Sequence, residues 1–169
     1  MDLRTHLTTY INFNLWANTI MTNWLLSKDP ALMTMEVKSS FPTVDKTLVH
    51  LWVAEHIWMK RMLGETYENI LSVCEGKDTS FIVEKLIASS NGYVTYINEI
   101  SDVVLDNHIK YRLLSGDEGS ATIAHILQHI MNHSTYHRGQ LVTIGRELGF
   151  TDPPKTDFME YIRNITSTH

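Results

Sequence analysis

The stretch Ile123–Gln140, IAHILQHIMNHSTYHRGQ, sets His125, His129, His133 and His137 at strict four-residue intervals. On an α-helix that spacing stacks imidazoles along one side, each a turn above the last. Four of the nine histidines in the chain therefore fall within one helix. Imidazole is the commonest side-chain metal ligand and titrates near neutral pH. Helical rotation then divides the four. At about 100° per residue, with His137 set at zero, Ile123, Ile126, Ile130, Leu141, Ile144 and Leu148 fall between roughly −20° and +40°. His137 lies inside this apolar stripe, His133 about 40° to one side, His129 about 80° and His125 about 120°. The four spiral out of the core and cannot share one ion. His133 and His137 point inward, His129 marks the rim, and His125 faces solvent.

Working outward, the same periodicity predicts three more long helices. Leu3 to about Ser27 repeats apolar residues at near-helical spacing, with Asp2 as a cap and Pro30 beyond its end. A polar connector, Ala31–Pro42, leads to a second helix capped by Thr43 and stopped by Gly64. Glu65–Lys77 reads as a looser connector, and a third helix spans Thr79 to Ile100 from a cap at Asp78 or Thr79. Ser101–Gly119 has short β-like runs and a Gly-Asp-Glu-Gly turn, so it reads as a long crossover or a short extended excursion. The histidine helix follows from near Ser120 to about Leu148, closed by Gly149, and a Pro-Pro break precedes one short C-terminal helix. The expected fold is all-α: a four-helix bundle with a long crossover connection and a short C-terminal helix, in a single domain over residues 1–169.

Composition bounds the function. A chain of 169 residues with 43% hydrophobic residues builds one substantial core. Its formal charge is −5 and its basic residues are scattered, so no basic face for nucleic acid is expected. No apolar run suits a signal peptide or a membrane span, and the single Cys74 cannot close an intrachain disulfide. A cytoplasmic location is the expectation.

Two inward histidines do not complete a catalytic centre, which commonly takes three protein ligands and keeps one position open. The second helix offers His50 and His56, about 240° apart, so at most one faces the site. His50, near the apolar-rich start, is the better placed. Plainer readings stand beside these. A histidine pair one turn apart also arises from ordinary amphipathic packing. Glu55 is a hydrogen-bond partner behind a ligand, a general base or an exposed helix carboxylate. Trp16, Trp24, Trp52 and Trp58 are most simply core, and nothing near Cys74 in sequence would activate it. His56 and His108, taken alone, are most simply surface or structural, and His6 and His169 carry no functional expectation.

The run NHSTYHRGQ (Asn132–Gln140), with His129 one turn earlier, resembles the signature of the DinB-like family of damage-inducible bacterial proteins. That family is distinct from the lesion-bypass polymerase of the same name. LVHLWVAEHIWMKRMLG (Leu48–Gly64) resembles its second motif, and PKTDFMEYIRN (Pro154–Asn164) its Asp-containing C-terminal segment. The resemblance implies a four-helix bundle holding a divalent metal on His50, His133 and His137, zinc or nickel foremost, with iron or manganese also accommodated. It also implies frequent homodimers; in such a site Arg138 and Gln140 would orient the ligands or hold the motif's turn of helix, with Tyr136 near the pocket rim. Relatives include transferases and isomerases that use low-molecular-weight thiols. The expectation is a metal-dependent enzyme acting on a small molecule, a thiol-dependent S-transferase or a related transferase or hydrolase. The alternative is a non-catalytic, stress-induced metal-binding protein whose site is closed by a fourth ligand such as His129 or Glu55.

Overall fold

In the computed structural model, which describes residues 1–66, 69–113 and 116–167, four long helices form the body of the molecule. They are α1 (Leu3–Leu26), α2 (Val44–Leu63), α4 (Thr79–Glu99) and α5 (Ile123–Glu147), with a one-turn α3 (Ile70–Val73) and a short α6 (Phe158–Thr166) beside them. His169, one of the histidines set aside above, lies outside the described residues. So do two residues of each long connector.

The helices start where side chains can satisfy their free N–H groups. Asp2, Thr43, Asp78, Thr122 and Asp157 each accept from the backbone N–H three residues on, at 2.7, 3.0, 2.9, 3.2 and 2.9 Å. Such a cap is worth about 1 kcal/mol. At the other end of α2, Gly64 adopts φ 68°, the left-handed conformation that glycine takes without penalty. The start of α5 differs from the expected Ser120. Residues His108–Arg112 (β1) and Glu118–Thr122 (β2) pair as an antiparallel hairpin, with Lys110 opposite Ser120. The cap is therefore Thr122. The hairpin is held to the bundle by Tyr111, whose ring meets Trp58 of α2 edge-on at 4.9 Å.

α1 packs on α4 and α5, and α2 packs on the same two helices, so α1 and α2 are diagonal partners. One apolar cluster joins the C-terminal part of α1 (Met21, Leu25) to the starts of α2 and α4 and the end of α5 (Leu141, Ile144). A second joins Leu7 and Ile11 of α1 to Met62, to Tyr93 and Ile97, and to Ile123–Met131. α1 and α5 thus run one way, α2 and α4 the other. The chain between the parallel helices α2 and α4 returns along the bundle, while α4 ends and α5 starts at the same end of it.

Between the two apolar clusters every long helix contributes polar residues at the same level. These are Asn14 and Asn18 on α1, Glu55 on α2, Ser90 on α4, and Ser134, His137 and Arg138 on α5, all buried. A polar layer through the middle of a bundle is costly unless its groups pair. It is also where the histidines lie.

Candidate metal centre

His50 is brought by α2 and the pair His133 and His137 by α5, two helices that pack directly on each other. His133 Nε2 lies 3.0 Å from His50 Nε2 and 3.1 Å from His137 Nε2. Within the trio all three ligand atoms lie within 4.8 Å of one another. A single proton can bridge only two of three such nitrogens, so hydrogen bonding among the rings does not account for the convergence. A shared cation would. Two nitrogens about 2.0–2.1 Å from a tetrahedral zinc lie roughly 3.3 Å apart, close to the separations here.

The tautomer of His137 is set from behind. Its Nδ1 donates to Gln140 Oε1 at 2.7 Å, which leaves Nε2 as a bare lone pair turned toward the other rings. Gln140 sits one turn further along α5, so the helix that presents the ligand also orients it. Phe41 covers the far side, stacked on His50 at 4.2 Å between centroids and meeting His137 edge-on at 5.6 Å. Burial pushes the imidazole of His50 down to about 4, helped by His137. Burial together with the neighbouring histidines pushes His133 to about 3, and burial lowers His137 against the opposing bond from Gln140. All three shifts favour the neutral ring, the form that ligation requires.

Arg138 and Glu55 form the second part of the site, and neither touches the histidines through a hydrogen bond recorded among the described residues. Glu55 is buried, not an exposed helix carboxylate, because α4 and α1 close over it. Ser90 Oγ donates to it at 2.9 Å, and the Asn14 and Asn18 amides donate to Oε1 at 3.1 and 3.2 Å. The carbonyl oxygens of the same two amides accept from Arg138 Nη1 at 2.7 and 2.8 Å. Two asparagines thus stand between a buried cation and a buried carboxyl, each aligned with both. Burial raises the Glu55 carboxyl to about 7, against its hydrogen bonds and the Arg138 charge, and lowers Arg138 to about 10, so the guanidinium remains charged. Arg138 also lies over the Phe13 ring at 5.3 Å. This network pins the turn of α5 that carries His137.

The remaining expected residues divide cleanly. Tyr136 is exposed at the rim, its ring edge-on to His137 at 5.0 Å. His129 lines a cavity of about 730 Å³ that opens from His50 and His133, and its ring meets Trp58 at 5.3 Å. His125 is exposed, as its rotation predicted. Trp24 and Trp52 are core, Trp16 packs against Tyr161 of α6, and Trp58 faces the cavity. Cys74 lies on a separate cavity beside His50 and Phe41, where burial pushes its thiol up and away from the reactive thiolate. Phe41, Asn14, Asn18 and Ser90 were not singled out from sequence. Asn14 and Asn18 carry a readable signal, a polar pair one turn apart on the buried face of α1. Phe41 carries none, since it sits in a connector whose path only the fold reveals.

Comparison with known proteins bears on the same architecture. Protein DinB of Bacillus subtilis is 24% identical over 157 residues, covering 89% of this chain and 90% of that protein. A DinB-like protein of B. subtilis superposes with a TM-score of 0.64 at 15% identity, over 88% of this chain and 97% of the other. A DinB-like protein of Bacillus cereus does so at 0.61 and 18%, over 82% and 89%. YfiT of B. subtilis, described as a probable metal-dependent hydrolase with an unusual four-helix bundle topology, gives 0.62 at 12%, over 84% and 87%. The model of the DinB family matches residues 3–167. The chain belongs to the DinB family.

Proposed function

We propose that this protein is a metal-dependent enzyme whose centre is a divalent cation, zinc or nickel foremost, on His50, His133 and His137. The observation that carries the reading is the convergence of three neutral imidazole nitrogens on one point, with His137 oriented by Gln140. Glu55 has its oxygens engaged by Ser90 and the asparagines, and His129 stands with Trp58 on the cavity wall. Neither is disposed as a fourth ligand, which favours a site open to a small molecule over a closed one. When bound, such a cation supplies Lewis acidity and lowers the pKa of a thiol or water that it contacts.

The chain's own residues do the rest. Phe41 packs against one side of the histidines, and the cavity along α2 and α5 admits substrate from the other. The reaction proposed is transfer to or from a low-molecular-weight thiol, or a related metal-assisted transfer or hydrolysis. The description of YfiT as a probable hydrolase supports the broader class. Because the thiol of Cys74 is held protonated, a thiol cosubstrate would supply the nucleophile that the protein lacks. The test is turnover of metal-loaded protein with bacillithiol, glutathione or coenzyme A and monochlorobimane, alongside a simple ester. Metal-dependent turnover abolished by His133→Ala is expected. Absence of metal-dependent turnover with every thiol and the ester would overturn the reading.

A further inference from the structure

The cavity beside the histidines has a definite chemical polarity along its length. One wall is a single face of α2, running from His50 past Val53, Ile57 and Trp58 to Arg61. Those residues recur at helical spacing, so the wall extends about three turns, or roughly 16 Å, along the axis. The opposite wall is α5, and Tyr111 of the hairpin roofs the end remote from the ligand trio. The volume of about 730 Å³ suits a small organic molecule.

The lining is unequal in charge. Among the described residues no aspartate, glutamate or lysine contributes to it, and apolar side chains make up most of the surface. Arg61 is the one permanently charged group there. Its guanidinium carbon lies 4.7 Å from the Trp58 ring and 5.5 Å from that of Tyr111, and Nη2 donates to the Arg112 carbonyl oxygen at 2.7 Å. A guanidinium fixed between two aromatic rings is pre-organised, and its planar donors match a carboxylate or sulfonate. Trp58 also lines the cavity with Ile57 and Val53, giving an apolar body a surface to lie against.

We propose that this cavity binds an elongated organic anion, with its acidic group at Arg61, a planar apolar body along Trp58, and its opposite end at the histidine trio. A carboxylate with an aromatic or similarly flat body is the class that this lining recognises. The assignment of the opposite end as the reacting one rests on the metal-centre reading; selection of the anion by Arg61 does not.

Calorimetric titration with three probes of equal size tests this: biphenyl-4-carboxylate, biphenyl-4-methanol and 4-(aminomethyl)biphenyl. It is run at pH 8, where an ordinary imidazole is mostly neutral, on protein as purified and after treatment with chelator. The carboxylate is expected to bind at least tenfold tighter than the alcohol in both preparations, and the amine more weakly than either. Arg61→Gln should bring carboxylate and alcohol to within about twofold of each other. Arg61→Lys, which retains charge, should keep part of the preference, and Arg112→Gln, a cation outside the cavity, should keep all of it. If Arg61→Gln fails to fold, the ranking of the three probes on the unmodified protein decides. Equal binding of carboxylate and alcohol, preference for the amine, a preference that survives Arg61→Gln, or no binding of any probe at millimolar concentration would each overturn the proposal. A carboxylate preference in protein that takes up no metal would uphold it while the metal reading fell.

Discussion

At the scale of single residues, the histidines depend on groups behind them. Gln140 accepts the Nδ1 proton of His137 and so decides which nitrogen is free. Replacing a group that orients a ligand typically costs 10–100-fold in metal affinity. Gln140→Leu should therefore weaken zinc binding by about that factor with little change in melting temperature, measured by competition with a chromogenic chelator; unchanged affinity would contradict the orienting role. Glu55 makes a different prediction. Its carboxyl is raised to about 7 in the folded protein, mainly by burial, so the unfolded chain loses that proton at lower pH than the native one. Its contribution to stability is complete below the ordinary carboxylate range and is lost as pH rises through about 7. The urea midpoint of the parent protein should fall between pH 5 and pH 8, and Glu55→Gln should flatten that fall. Equal slopes in the two proteins would show that Glu55 is not the group responsible.

At the scale of elements, α5 must approach α1 closely enough for Arg138 to reach Asn14 and Asn18, and Gly145 permits this further along. A Cβ there would lie 2.5 Å from Cη2 of Trp24 and 3.0 Å from Cδ2 of Phe150. Trp24 cannot simply swing aside, since its Nε1 donates to the Thr151 carbonyl at 2.9 Å. Alanine gains about 1 kcal/mol in helix propensity, whereas overpacking a tight contact costs about 1–3 kcal/mol. Gly145→Ala should then be net destabilising by about 1–2 kcal/mol in urea titration, and a stabilised variant would mean that the helices have room to part. The elements show why some features were legible in sequence and others were not. Caps such as Asp2, Thr43 and Gly64 are local chemistry, and the placement of His133 and His137 follows from rotation about one axis. The hairpin at 108–122 was ambiguous because its pairing depends on docking Tyr111 against Trp58, a contact between distant segments. The burial of Glu55 is illegible in sequence for the same reason: one helix cannot show that Asn14, Asn18 and Ser90 close over it from two others.

At the scale of the whole molecule, two apolar clusters hold the ends of the bundle and a polar layer crosses its middle. The layer joins all four long helices through Asn14, Asn18, Glu55, Ser90 and Arg138, and His50, His133 and His137 sit at its margin between α2 and α5. The stability forgone by burying charge there is offset by pairing that fixes one turn of α5 relative to α2. Among the described residues no helix is long and apolar enough to cross a membrane. This margin is the proposed metal centre. Elemental analysis of purified protein, repeated on His133→Ala after both are exposed to zinc and nickel and desalted, tests it most directly. Close to one divalent ion per chain is expected in the unmodified protein, with most of it lost in the variant. A protein that retains no ion, or a His133→Ala variant that retains the full complement, would contradict it.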